Sequence, residues 1–206
     1  MKRVFLCAGL FLAPAAAQAQ LVLPAPYVEI AGGESFLPIV HVDRFVVANL
    51  GRSARNASLY YGDALTGSAE IGYAGILVPN LRFGIAYDYL EGKFEHGTLT
   101  ESFFGFPLTV HFTRSEAEQY GVELDRQAQT LSGNLYYGVT LFQFLRPYVG
   151  FGVGPVFVRH EATSFSEIGT AGVQAAVTDT LYLGVRYRYN SVTDHSVMAL
   201  LGWYVE

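Results

Sequence analysis

The chain has 206 residues, 51% of them hydrophobic and only 15% charged, below the roughly 25% charged that soluble domains carry. Its formal charge of −5 gives it no electrostatic reason to seek a phosphate backbone, so no nucleic-acid partner is expected. Gly at 22 residues, with 15 Phe and 14 Tyr, points instead to closely approaching strands.

The N-terminus reads MKRVFLCAGLFLAPAAAQAQ: two cations, an apolar run from Val4 to Leu12, then small residues ending Ala17-Gln18-Ala19. This is the pattern of a secretory signal peptide, with cleavage expected after Ala19. The run is too short for a free-standing membrane helix, which needs about 20 apolar residues. The expected organisation is therefore a leader over 1–19 and one domain over 20–206. The one cysteine, Cys7, falls inside the leader, so the mature chain is expected to hold no disulfide, thiol nucleophile or thiolate ligand.

After Gln20 no stretch approaches 18 uninterrupted apolar residues, yet mean hydropathy is +0.26. The apolar residues alternate, as the period of two along a strand requires. Leu81, Phe83, Ile85, Tyr87 and Tyr89 oppose Arg82, Gly84, Ala86 and Asp88; Leu181, Leu183, Val185, Tyr187 and Tyr189 oppose Tyr182, Gly184, Arg186, Arg188 and Asn190. In chain order the segments that alternate are 27–36, 67–77, 81–95, 130–142, 147–160, 167–177, 180–190 and 196–205. Tight turns are expected at Val78-Pro79-Asn80, 143–146 and Thr178-Asp179, and long loops at 37–66 and 96–129. Short turns on one rim and long loops on the other, with an even strand count, describe an all-β, eight-stranded antiparallel up-and-down transmembrane β-barrel with both termini periplasmic.

The sense of the alternation distinguishes lipid from water. The continuous, bulky parity is aromatic and aliphatic, and its counterpart carries Gly, Ser, Thr and full charges. A water-facing skin of Leu, Phe, Val and Tyr would aggregate, whereas lipid suits it, and a closed barrel leaves no backbone group unpaired in lipid. Counted from the short turns, Tyr87, Tyr89, Phe157, Tyr187 and Tyr189 lie at similar heights and are expected, with Trp203, to form lipid-facing aromatic girdles. Inward charges are expected to plug the lumen: Glu70 opposite Asp88, facing Arg186 and Arg188, with Arg82 and Glu29 as a second pair lower down. Such a plug predicts low conductance.

The segments YVEIAGG, LRPYVGFGVG, LYLGVRYRYN and SVMALLGW resemble the small eight-stranded outer-membrane barrel family that includes the opacity proteins and the OmpA transmembrane domain. The resemblance implies an envelope structural protein, adhesin or minor porin in the Gram-negative outer membrane. Its implied partners are outer-membrane lipids, lipopolysaccharide and the barrel assembly machinery. Such barrels typically finish with an aromatic residue, whereas this chain ends Gly202-Trp203-Tyr204-Val205-Glu206.

No cofactor is expected. His41, His96, His111, His160 and His195 fall in or near the long-loop end, but with no Cys and no short His spacing no metal site is expected. Asp194-His195-Ser196 is the tempting catalytic triplet. Consecutive residues of a strand point to opposite faces, so His195 and Ser196 cannot work as a pair and no catalytic residue is expected. Tyr60, Tyr61, Phe103, Phe104 and Phe106 are either contacts for an extracellular ligand or caps on the barrel rim. The expected product is a monomer with a structural or surface-interaction role; a narrow porin and a lipid-modifying hydrolase are the alternatives.

Overall fold

A computed structural model describes residues 25–47, 52–75, 78–103, 106–119, 124–142, 144–159 and 161–205. The leader expected over 1–19, its cleavage site and His160 lie outside the described residues. Ten strands and one short helix follow in order: β1 (Ala25–Phe36), β2 (Val40–Val47), β3 (Arg52–Ala74), β4 (Leu81–Phe103), β5 (Phe106–Thr113), α1 (Arg114–Gln119), β6 (Arg126–Gly138), β7 (Leu145–Val158), β8 (Ser164–Ala176), β9 (Leu181–Asn190) and β10 (His195–Tyr204).

Every pairing is antiparallel, and eight of the strands close into a barrel in the circular order β1-β3-β4-β6-β7-β8-β9-β10, sealed by β1 against β10. Most residues whose side chains point outward are apolar and exposed, among them Ile30, Ile71, Ile85, Leu135, Val149, Phe151 and Val185. Those pointing inward are mostly small, polar, charged or tyrosine, with aliphatic residues such as Leu90, Val156, Met198 and Leu200 among them. The polar residues are thus on the inside and the greasy ones on the outside, the arrangement lipid demands. The first and last described strands meet at the short-turn rim, where Val205 N donates to Pro26 O at 2.8 Å.

The two segments expected to be long loops are largely sheet. β3 and β4 have 23 residues each, roughly 75 Å of extended chain at about 3.3 Å per residue. Even tilted near 40° they are roughly twice as tall as the apolar band of about 25 Å. Past the barrel rim they carry β2 and β5 on their flanks, giving a four-stranded ledge in the order β2-β3-β4-β5. One side of the ledge is packed: Leu59 and Phe94 are buried with Ala117 of α1, and Val40, Val42, Tyr61, Phe112 and Leu124 pack around them. α1 starts on a capping box. Thr113 N donates to Glu116 Oε2 at 2.7 Å and Thr113 Oγ1 to the same oxygen at 2.9 Å, and these bonds hold the Glu116 carboxyl below the usual carboxylate range.

The turns differ in detail from expectation. Gly75 adopts φ 77°, a left-handed conformation that ends β3 at Ala74 and that glycine takes without steric cost. Its N–H bonds Leu81 O at 2.8 Å, so the connection to β4 starts before the expected Val78 and pairs Ala74 with Arg82. The next turn is also earlier than 143–146. Leu141 and Leu145 exchange hydrogen bonds of 2.6 and 3.0 Å, with Phe142 at φ 52° between them.

Candidate functional site

The barrel interior is a stack of layers that can be read from the short-turn rim to the ledge. The first is aromatic. Arg82 is 2% exposed, and its guanidinium lies 5.0, 5.1, 5.2 and 5.9 Å from the ring centres of Tyr27, Tyr136, Tyr148 and Tyr182, within the range of cation–π attraction. Each of these tyrosines sits directly opposite a glycine on the neighbouring strand: Tyr27 with Gly72, Tyr136 with Gly150, Tyr148 with Gly172, Tyr182 with Gly202. A Cβ on Gly202 would come within 2.1 Å of the Tyr182 ring, and one on Gly150 within 2.2 Å of the Tyr136 ring. The glycines leave the room that lets four phenol rings lie inside a narrow barrel.

The second layer joins Glu29, Glu70 and Arg186, each 1% exposed. Glu29 and Glu70 are direct neighbours across β1 and β3, a like-charged pair that repels unless a cation joins it. Arg186 does so: its Nη1 donates to Glu29 Oε1 at 2.7 Å and lies 3.8 Å from Glu70 Oε2. Glu29 Oε2 also accepts from Gln174 Nε2 and from Tyr182 OH, both at 3.1 Å, and faces Arg82 Nη1 at 3.8 Å. Glu70 accepts from Tyr27 OH and from Tyr136 OH.

A third layer holds Arg188, whose Nη2 donates to Asp88 Oδ2 at 2.7 Å and to Ser132 Oγ at 2.9 Å. Above it Asn190 gathers Ser166 Oγ and the backbone N–H groups of Val192 and Thr193 on one amide oxygen. Asp194 accepts from Ser35 Oγ at 2.5 Å and Thr193 Oγ1 at 2.7 Å. Between these groups lies a cavity of about 20 Å³ lined by Asp88, Thr130, Arg188, Asn190, Asp194 and neighbours, room for a water and nothing larger. The stack ends in an aliphatic layer of Ala64, Leu90, Ala128, Val156 and Val158, closed by Leu37 and Val192.

All six charged residues expected in the lumen point into it, and Arg188 with Asp88, Arg186 with Glu70 and Arg82 with Glu29 come together as expected, at 2.7, 3.8 and 3.8 Å; the cross-strand neighbours of the two carboxylates differ. Asp88 is opposite Ser68, and Glu70 is opposite Ala86, because the early end of β3 at Gly75 shifts the register by two residues. Arg186 also engages Glu29, a contact not expected, which makes Glu29 the hub that joins Arg82 and Arg186. Tyr87, Phe157, Tyr187 and Tyr189 are exposed on the outer wall toward the ledge, and Tyr89 lies half-buried beside them. Trp203 is at the opposite rim, paired with Val28 and Leu181. It belongs with Tyr73 and Tyr137 near the short turns, at a different height from the others.

The sequence reading did not single out Tyr27, Tyr136, Tyr148, Tyr182 or Gln174 as lumen ligands. The available signal was the parity of Tyr136 with Ser132 and Asn134, and of Tyr182 with Arg186 and Arg188. Of the loop aromatics, Tyr61 packs in the ledge core and Tyr60 lies on the other side, stacked on His96 at 4.6 Å; Phe104 lies outside the described residues, as do the side chains of Phe103 and Phe106. Ser196 is buried and bonds Arg188 O, while His195 faces outward to Tyr187. Among the described residues no cluster of three or more His, Cys, Asp or Glu could hold a metal ion, and no helix is long and apolar enough to cross a membrane.

No protein-family model matches the chain, and no curated protein matches it. Solved structures do. Neisserial surface protein A is 17% identical, with 87% of this chain and 97% of that one covered and a TM-score of 0.53. The outer membrane protein OprG from Pseudomonas aeruginosa is 12% identical, with 88% and 97% covered and a TM-score of 0.50. At these identities the likeness is one of architecture: the chain has the fold of the small eight-stranded outer-membrane β-barrels.

Proposed function

We propose that this protein is a monomeric anchor of the Gram-negative outer membrane, with its short turns and both termini periplasmic, whose sealed barrel holds a rigid ledge above the cell surface for a structural or surface-interaction role. Its partners in this reading are membrane lipids and lipopolysaccharide around the wall, the assembly machinery during insertion, and an extracellular ligand at the ledge. It has no catalytic step.

One observation carries the reading: the lumen is closed layer by layer by mutually paired charges, tyrosines and an aliphatic cap, while the outer wall is apolar from the short-turn rim up to the aromatic girdle, where Glu34, Gln129 and Glu167 are exposed. The cap over the polar lumen is as important as the ion pairs, because an ion entering from the ledge side would first have to shed its hydration against Leu90, Val156 and Val158. Purified protein reconstituted in planar bilayers is expected to show only rare, low-conductance events, and its band is expected to shift on gels after heating. A steady, large conductance would replace this reading with the narrow porin, and turnover of labelled lipid A or phospholipid with the hydrolase.

A further inference from the structure

We infer that the outward face of the ledge is a saccharide-contacting surface, seated against the sugar headgroups of glycolipids in the same outer leaflet. The inference rests on the placement proposed above and extends it to a second surface. Because Val40, Val42, Leu59, Phe94 and Phe112 turn toward the ledge core, the alternation puts His41, Ser58, Tyr60, His96, Thr98 and His111 on the other side. The strand register lines them up. His41, Ser58, Thr98 and His111 form one row across four strands, and Tyr60 and His96 a neighbouring pair. The Tyr60 and His96 rings stack with an interplanar angle of 9°, and His41 Nδ1 is 3.0 Å from Ser58 Oγ.

The composition fits a sugar. The stacked pair leaves one face of each ring free to meet the C–H face of a pyranose, and the flanking hydroxyls and imidazoles both donate and accept hydrogen bonds. Among its described residues the patch has no carboxylate, ammonium or guanidinium. Below it on the same face lie Glu91, Lys93 and Glu95, more negative than positive, which disfavours bare phosphate as the contact.

The occupant follows from continuity. β4 runs without interruption from the girdle residues Tyr87 and Tyr89 to His96 and Thr98, and the patch is the upward continuation of the wall that faces the membrane. From Tyr89 to His96 the climb is roughly 18 Å at about 3.3 Å per residue and a tilt near 40°. That height is past the acyl chains and the phosphate-bearing headgroup base, among the sugars of the surrounding glycolipids.

The test uses the whole barrel in nanodiscs, with a deacylated, dephosphorylated core oligosaccharide from rough lipopolysaccharide as the probe and saturation-transfer NMR as the readout. Transfer to the oligosaccharide is expected, with affinity at least fivefold weaker in Tyr60→Ala and in His96→Ala and within twofold of wild type in Tyr60→Phe and Lys93→Gln. No transfer to a barrel that shows its heat-dependent gel shift would overturn the inference while leaving the placement intact; absence of that shift would sink the placement itself. Transfer seen only with the phosphorylated form of the same oligosaccharide, and weakened by Lys93→Gln but not by Tyr60→Ala, would assign the contact to phosphate and overturn it. So would efficient disulfide dimers of Thr98→Cys in membranes, which would give the face to a second copy.

Discussion

The lower and upper halves of β3 and β4 obey opposite rules. In the barrel, Leu65, Ile71, Tyr73, Phe83, Ile85 and Tyr87 point outward, and Ser68, Glu70, Arg82 and Asp88 point inward. In the ledge, Leu59, Tyr61 and Phe94 point inward to a core, and Ser58, Tyr60 and His96 point outward. The sequence of β3 does not change its pattern between the two: Leu59, Tyr61, Leu65, Ile71 and Tyr73 all occupy odd positions. What changes is the backbone. The register slips between Tyr61 and Ala64 on β3 and between Tyr60 and Tyr61 where β4 passes Glu95, and each bulge adds one residue that turns the alternation over. One apolar parity therefore faces lipid below the bulges and a water-excluding core above them. The solvent changes at that height, and the bulges are where the chain answers it.

The largest way to break this comparison is in the lumen. Glu29→Ala removes the carboxylate that Arg82 and Arg186 share, and loss of one partner of a buried pair costs about 3–5 kcal/mol. Unfolding in a urea series, followed by the heat-dependent gel shift, is expected to move to lower denaturant by that amount. Glu29→Gln keeps the shape and part of the bonding and is expected to lose less. Next comes the wall: Ile85→Arg puts a cation on the lipid face and should cost about 2–4 kcal/mol near the bilayer midplane. The equivalent change in the ledge, Ser58→Arg, is on a water-facing surface and is expected to leave the same transition within about 0.5 kcal/mol of wild type. If both substitutions cost the same, the two halves do not meet different solvents.

These contrasts also show what the sequence made legible. The closed barrel, its strand count and the inward direction of Glu29, Glu70, Arg82, Asp88, Arg186 and Arg188 follow from parity alone, since a period of two leaves no choice of face. Which residues lie directly opposite one another across strands does not follow. Partner choice depends on register, and one glycine with positive φ at position 75 moved Asp88 from Glu70 to Ser68. The ledge was misread for a different reason. The apolar parity of β3 runs on through Leu59, Tyr61 and Leu65, but Pro38, Gly51, Asn56, Gly62 and Asp63 punctuate 37–66 with turn-type residues, so a continuous strand reads as a loop. The capping box Thr113-Arg114-Ser115-Glu116 was visible in the sequence as T-x-x-E, and it marks the helix that covers the ledge core.

A more local effect sharpens the separation of ledge from barrel. Leu59→Ala opens a cavity in the core formed with Phe94 and Ala117, where deletions of this kind cost about 2–5 kcal/mol. The core is local, so the loss should be local. Limited trypsin digestion is expected to clip the ledge at Arg114 many times faster than in wild type, while the barrel transition in urea stays where it was. A matching fall in barrel stability would mean that ledge and barrel unfold as one unit.

The smallest effect is electrostatic and belongs to α1. Glu116 is exposed, and the N–H and hydroxyl of Thr113 bond its ionised form, so its carboxyl titrates below the ordinary carboxylate range. A group whose pKa is depressed by folding stabilises the folded segment above its unfolded pKa. That contribution disappears as pH falls through the depressed value. Between pH 6 and pH 3, amide exchange at α1 should therefore accelerate relative to the flanking strands in wild type, and Glu116→Gln should remove the pH dependence while leaving a helix that frays slightly at every pH.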